Sequence, residues 1–71
     1  MCAMEYAVIL EPGARNFSAY VPDLPGCVAT GKTEAETVAN IRDAVRLHIE
    51  ALRDMGEPVP PPSSRALQIA V

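Results

Sequence analysis

The stretch that decides the fold is Phe17-Ser18-Ala19-Tyr20-Val21-Pro22-Asp23-Leu24-Pro25-Gly26-Cys27-Val28-Ala29-Thr30-Gly31-Lys32-Thr33-Glu34-Ala35-Glu36. It opens with an alternation that puts Phe17, Ala19 and Val21 on one side, the period of a strand. Two prolines in the next four residues end that strand, because proline cannot donate to a central ladder. Pro25-Gly26 is a strong turn pair. Cys27 to Thr30 then predicts a short third strand, antiparallel to the second. Thr33 and Glu36 have the spacing of a capping box, so a helix is expected from Glu34.

Working toward the N-terminus, Met4 to Glu11 also alternates. Met4, Tyr6, Val8 and Leu10 share one face, while Glu5, Ala7, Ile9 and Glu11 share the other. This predicts a first strand. Glu11-Pro12-Gly13-Ala14-Arg15-Asn16 predicts the turn of a hairpin, since proline presets φ and glycine accepts φ > 0.

Working toward the C-terminus, the period changes. Val38, Ile41, Val45, Ile49 and Leu52 recur every three or four residues, which is one apolar stripe of a helix. The helix is expected to stop at Gly56, with Pro58 beyond it. Residues 57–64 hold four prolines and predict an extended linker. Leu67, Ile69 and Val71 alternate with small or polar residues and predict a short last strand. The expected architecture is therefore α+β in the order β-β-β-α-β. A three-stranded antiparallel meander carries one long helix across one face, and a short strand follows at the C-terminus. Residues 1–71 read as one domain.

Composition bounds the function. The chain has 71 residues, 49% apolar and 21% charged, so it reads as globular rather than disordered. A chain this short supplies roughly 3–5 kcal/mol of net stability from one core, which favours self-association as a staple. Nine acids against six bases give a net charge of −3. That balance disfavours nonspecific nucleic-acid binding and suits a basic partner. Cys2 and Cys27 are the only cysteines, so at most one bridge is available, and two free thiols in a reducing cytoplasm is the preferred reading. No apolar run approaches the roughly 20 residues of a membrane span, and no signal peptide is recognisable. A cytoplasmic protein without membrane association is expected.

Few side chains carry a chemical signal. His48 lies near the edge of the apolar stripe, where it reads as a boundary or subunit-contact residue more readily than as a general base. Cys27 reads as a small buried thiol, since a thiolate would want a cation or a helix N-terminus beside it. Asp23 reads as a turn aspartate bonded to the backbone two residues on. Two cysteines and one histidine lack any metal-site spacing, and the glycines form no phosphate loop, so no metal or cofactor is expected. The charged side of the helix, Arg42, Asp43, Arg46, Glu50, Arg53 and Asp54, mixes both signs and reads as a solvated face.

One feature goes beyond a minimal core. Ala44, Leu47, Ala51 and Met55 form a second apolar band beside the first. Together with His48 and the terminal residues Leu67 and Ile69, this band is a candidate interface with a partner or a second copy. The terminal strand could add to the sheet edge of its own subunit, a sister subunit or another protein.

The stretch from Phe17 to Thr33 resembles the signature of HicB-type antitoxins. That signature is an aromatic strand, the turn Asp23-Leu24-Pro25-Gly26-Cys27, then Thr30, Gly31 and Thr33 ahead of an acidic helix start. Asn40, Ala44, His48 and the exit through Gly56, Pro58 and Pro60 continue the likeness. The resemblance implies a partial ribonuclease-H-like fold without catalytic residues. It implies a small basic partner, a messenger-RNA-cleaving toxin of the HicA type, whose catalytic histidine the antitoxin covers. It also implies homodimers or homotetramers. Members that regulate their own operon carry a C-terminal DNA-binding domain; this chain ends at Val71, so direct DNA binding is not expected. On this reading the chain is a protein-binding module that masks a toxin, and Glu34, Glu36, Asp43 and Glu50 are candidate toxin contacts. The alternative is a solitary homo-oligomeric scaffold or small-ligand-binding domain with no toxin. An enzyme using Cys27 or His48 is the least supported reading.

Overall fold

The computed structural model describes residues 5–71; Cys2 and Met4 lie outside the described residues. Three strands, β1 (Ile9–Pro12), β2 (Phe17–Tyr20) and β3 (Val28–Gly31), precede one helix, α1 (Glu34–Asp54). The strands form an antiparallel meander in the order β1-β2-β3. Ile9 pairs with Tyr20 and Pro12 with Phe17. On the other side of β2, Tyr20 pairs with Val28 and Phe17 with Gly31.

This register explains which face is buried. Leu10, Ala19 and Ala29 form one row across the sheet, and Pro12, Phe17 and Gly31 form the next row on the same side. Beside Phe17, the inner face of β2 and β3 carries the small residues Ala19, Ala29 and Gly31, which let the helix come close. At Gly31 a side chain would place its Cβ 2.6 Å from Thr37 Oγ1 and 2.8 Å from the Thr37 backbone nitrogen. Glycine is required there by proximity, since no Cβ tolerates such a distance. The helix packs over β3 and β2, with its main contacts on β3. The core between the two layers is Ala19, Val21, Leu24, Cys27 and Ile41. Tyr6, Leu10, Ala29, Ala44, Val45 and Ile49 pack around it.

The ends of α1 follow the expected chemistry. Thr33 is extended (φ −125°) and its hydroxyl accepts the Glu36 N–H at 3.1 Å. The return arm differs slightly from a standard capping box, because the Glu36 carboxylate accepts the Lys32 N–H at 3.3 Å. The Thr37 hydroxyl donates to the Thr33 carbonyl at 2.8 Å. Glu34 and Glu36 in the first turn and Arg53 in the last complement the helix dipole. At the C-terminus, Gly56 takes φ +70° and the Glu57 N–H bonds the Leu52 carbonyl, which closes the last turn.

Two expectations require correction. The alternation from Met4 predicts a strand of eight residues, yet pairing begins only at Ile9. The reason lies opposite it: β2 ends at Tyr20, the partner of Ile9, and Val21 turns away into the proline loop. Residues 5–8 therefore face no strand, although Tyr6 still packs on the core. The second correction concerns the C-terminus. No residue from 57 to 71 is in a strand. Leu67 and Ile69 are 77% and 78% exposed, and Val71 is fully exposed. The alternation that marks a strand is present, but the segment finds no sheet edge within its own chain. The β-β-β-α part of the expected order stands, and the C-terminal segment carries no strand in this structure.

Candidate functional site

The loop between β2 and β3 is tied by three backbone hydrogen bonds of its own. Proline at position 25 and glycine at position 26 with φ +85° satisfy a type II turn. The Cys27 N–H closes that turn on the Leu24 carbonyl at 3.0 Å. A second bond runs from the Leu24 N–H to the Val21 carbonyl at 3.1 Å, and a third from the Val21 N–H to the Cys27 carbonyl at 3.1 Å. The loop is thus folded back on itself, and this aims Leu24 inward, where it has no exposed surface. Full burial of a leucine side chain contributes roughly 1.5–3 kcal/mol. Pro25 and Gly26 stay at the surface.

Asp23 has a different role from the local turn bond that its sequence suggests. One carboxylate oxygen, Oδ2, accepts the backbone N–H groups of Ser63 and Ser64, both at 2.9 Å. The other, Oδ1, accepts their hydroxyls, from Ser63 at 3.1 Å and Ser64 at 2.8 Å. Two consecutive serines present four donors to one carboxylate, more than its own turn can, and so draw it away from the local bond. The backbone and hydroxyl donors of Ser64, followed by those of Ser63, hold the Asp23 carboxyl down to about 2. Close by, the Tyr6 hydroxyl donates to the Pro60 carbonyl. Burial raises the Tyr6 phenol above its ordinary range, and the Asp23 charge adds to this while Arg53 opposes it. The proline linker is therefore fastened to the body at two points, Pro60 and the Ser63-Ser64 pair.

Cys27 sits in the core at the start of β3, 3% exposed. Burial raises its thiol above the ordinary value, the opposite of what a nucleophilic thiolate needs. His48 is half-buried on α1. Among the described residues, no three His, Cys, Asp or Glu side chains converge as metal ligands.

The band of candidate interface residues divides. Ala44 packs against the core cluster. Leu47 and Met55 are each 65% exposed, and Ala51 lies between them, also exposed. Leu67 and Ile69 are open as well. The acids Glu34, Glu36, Asp43 and Glu50 all face solvent. Asp43 approaches Arg46 at 3.9 Å in an exposed i,i+3 pair, worth at most about 0.5 kcal/mol. Asn40 ties α1 to β3, because its side-chain amide donates to the Thr30 carbonyl at 2.8 Å. The Thr37–Gly31 contact and the Asp23–serine bonds have no sequence signal, because both join positions whose proximity depends on the finished fold.

Comparison with known proteins places these features in a family. The model of the HicB-like antitoxin of bacterial toxin-antitoxin systems matches residues 6–70. A UPF0150 protein of Thermoplasma acidophilum is 40% identical over 58 residues, covering 80% of this chain and 84% of the relative. An uncharacterised 14.9 kDa protein from the rep-hol intergenic region of Haemophilus phage HP1 is 33% identical, over 80% of this chain but only 43% of its own length. Among solved structures, a chain of the HicA3 and HicB3 toxin-antitoxin complex superposes with a TM-score of 0.72 at 37% identity. The match covers 83% of this chain and 70% of that one.

Proposed function

This chain belongs to the HicB-like antitoxin family of bacterial toxin-antitoxin systems, and from that premise we propose that it neutralises a small basic, messenger-RNA-cleaving toxin of the HicA type by binding over it. The observation that carries the proposal is the likeness, in both fold and sequence, to a chain of a HicA3 and HicB3 complex. The charge supports it, since a surface with net −3 attracts a basic partner. The chemistry supports a binding role over a catalytic one. Cys27 is buried with its thiol raised, and the one strongly lowered carboxyl, Asp23, is occupied by four donors from the chain itself.

Neutralisation on this reading is steric and electrostatic. Glu34, Glu36, Asp43 and Glu50 supply the acids. Leu47, Ala51 and Met55 supply an apolar strip on the same helix, with half-buried His48 beside it. An interface of this type gains affinity from the apolar centre, and the surrounding charges speed encounter and fix orientation. Toxin neutralisation of this kind belongs in the cytoplasm, where messenger RNA is the target, and among the described residues no helix is long and apolar enough to cross a membrane. Co-expression tests the proposal. A HicA-type toxin from the same genome arrests growth alone and ceases to do so when this chain is produced with it. Continued arrest with both proteins present and soluble would reject it in favour of a scaffold that has no toxin.

A further inference from the structure

Winding the helix sorts its surface charges by sign. At about 100° per residue, Arg42, Arg46 and Arg53 fall in one row within roughly 40° of arc. Asp43, Glu50 and Asp54 form a second row, about 80° further round. Leu47 and Ala51 follow beyond the acids. All eight side chains are exposed. Asp43 approaches Arg46 only to 3.9 Å, with the two side chains 69% and 70% exposed, so the rows do not neutralise each other.

The fold gives this order a direction. Asn40 falls on the Leu47 and Ala51 side of α1, and its amide donates to the Thr30 carbonyl of β3 at 2.8 Å. The apolar strip therefore lies on the flank above β3, which is an edge of the sheet. Val28 in that edge strand is 65% exposed, as are Leu47 and Met55. Arg42 lies on the opposite flank, where it shares a groove with Tyr6 and Val8 from the segment leading into β1. Arg53 belongs to the same side, since its charge acts on the Tyr6 phenol. From the β1 flank to the β3 flank, α1 thus presents arginines, then acids, then the apolar strip.

We infer that the β3 flank is the seat of a basic partner, with Leu47, Ala51, Met55 and Val28 at its apolar centre and the acid row as its border, and that the arginine row keeps this partner off the β1 flank. The inference rests on the reading of the chain as the antitoxin of a basic toxin. The charge order carries it. A positive surface is drawn to Asp43, Glu50 and Asp54 and repelled by the row behind them, so one flank attracts it and the other turns it away. Repulsion of the wrong placement selects the right one as effectively as a new attraction does. The apolar strip then supplies the water-excluding centre that holds the complex once it has formed.

The test exchanges the two rows. Asp43→Arg/Glu50→Arg/Asp54→Arg combined with Arg42→Glu/Arg46→Glu/Arg53→Glu keeps the net charge at −3 and leaves every apolar residue in place. Association and dissociation rates are measured against a purified HicA-type toxin from the same genome, at low and high salt, with circular dichroism as the check on the helix. The exchanged chain should associate about tenfold more slowly than the wild type at low salt, and the gap should narrow as salt rises. Two pairs of substitutions that touch no charge read the flank independently. Val28→Ser/Leu47→Ser should speed dissociation about tenfold, whereas Val8→Ser/Val38→Ser, on the β1 flank, should leave it unchanged. Equal association rates for the exchanged and wild-type chains would overturn the inference. So would dissociation that responds to the β1-flank pair and not to the β3-flank pair. A wild-type chain that binds no toxin at all would overturn the antitoxin reading, and the inference with it.

Discussion

Protonating Asp23 should release the Ser63-Ser64 end of the proline linker, and it should do so at an unusually low pH. The carboxyl sits at about 2 against an ordinary 3.8, held there by donors from Ser64 and Ser63. The sign follows from linkage: a carboxyl depressed in the folded state stabilises above its ordinary pKa, and the effect is lost as pH falls through the folded value. The attachment should therefore be intact above about pH 4 and lost toward pH 2. At pH 3 the fastened carboxyl is about 90% ionised, whereas an unfastened one is about 14% ionised. The assay is a pH series of 1H–15N spectra that follows the Ser63 and Ser64 amides, with the Leu24 and Ile41 amides as controls for the folded core. Both serine amides should move with a midpoint near 2 while the controls hold. In Asp23→Ala they should sit at unbonded positions at neutral pH and show no such titration. A midpoint near 3.8, or serine amides indifferent to Asp23→Ala, would refute the assigned contact.

Three further outcomes follow from the packing. Leu24→Ala empties a fully buried site and should cost about 2–5 kcal/mol, most of the stability of a domain this small, read as a fall in the urea midpoint. Gly31→Ala should cost roughly 1–3 kcal/mol by the same measurement, because its Cβ meets the Thr37 backbone nitrogen at 2.8 Å and must push β3 from α1. Thr37→Ser should not relieve it, since the hydroxyl and the backbone both remain. Cys27 should be alkylated far more slowly in the native protein than in urea, since burial both covers the thiol and raises it; equal rates would place it at the surface.

Much of this fold is legible from local chemistry. The helix bounds follow from Thr33, Glu36 and Gly56, because caps are read from neighbouring residues. The turn at Pro25-Gly26 follows from the φ that each residue prefers. What periodicity cannot report is the partner. Residues 5–8 and 65–71 both alternate as strands do, yet neither is paired in the isolated chain, since pairing depends on what lies opposite. The second apolar band shows the same limit: its spacing identifies an apolar face, but Ala44 turns out to belong to the core and Leu47 and Met55 to the surface. Asp23 is legible as a turn residue and illegible as an anchor, because its donors come from 40 and 41 positions away. The motif around it has a physical reading nonetheless. Leu24 fixes the turn into the core, Gly26 permits the turn, and Asp23 fastens the exit from the helix to it.

Capture of a HicA-type toxin by this chain is tested most directly by messenger-RNA cleavage. Such a toxin, purified from the same genome, is titrated with the purified chain while complex formation is followed by mass in solution. Cleavage is predicted to fall to background at a fixed stoichiometric ratio, with the two proteins eluting together. Undiminished cleavage at excess chain, with the two proteins eluting apart, would contradict toxin capture.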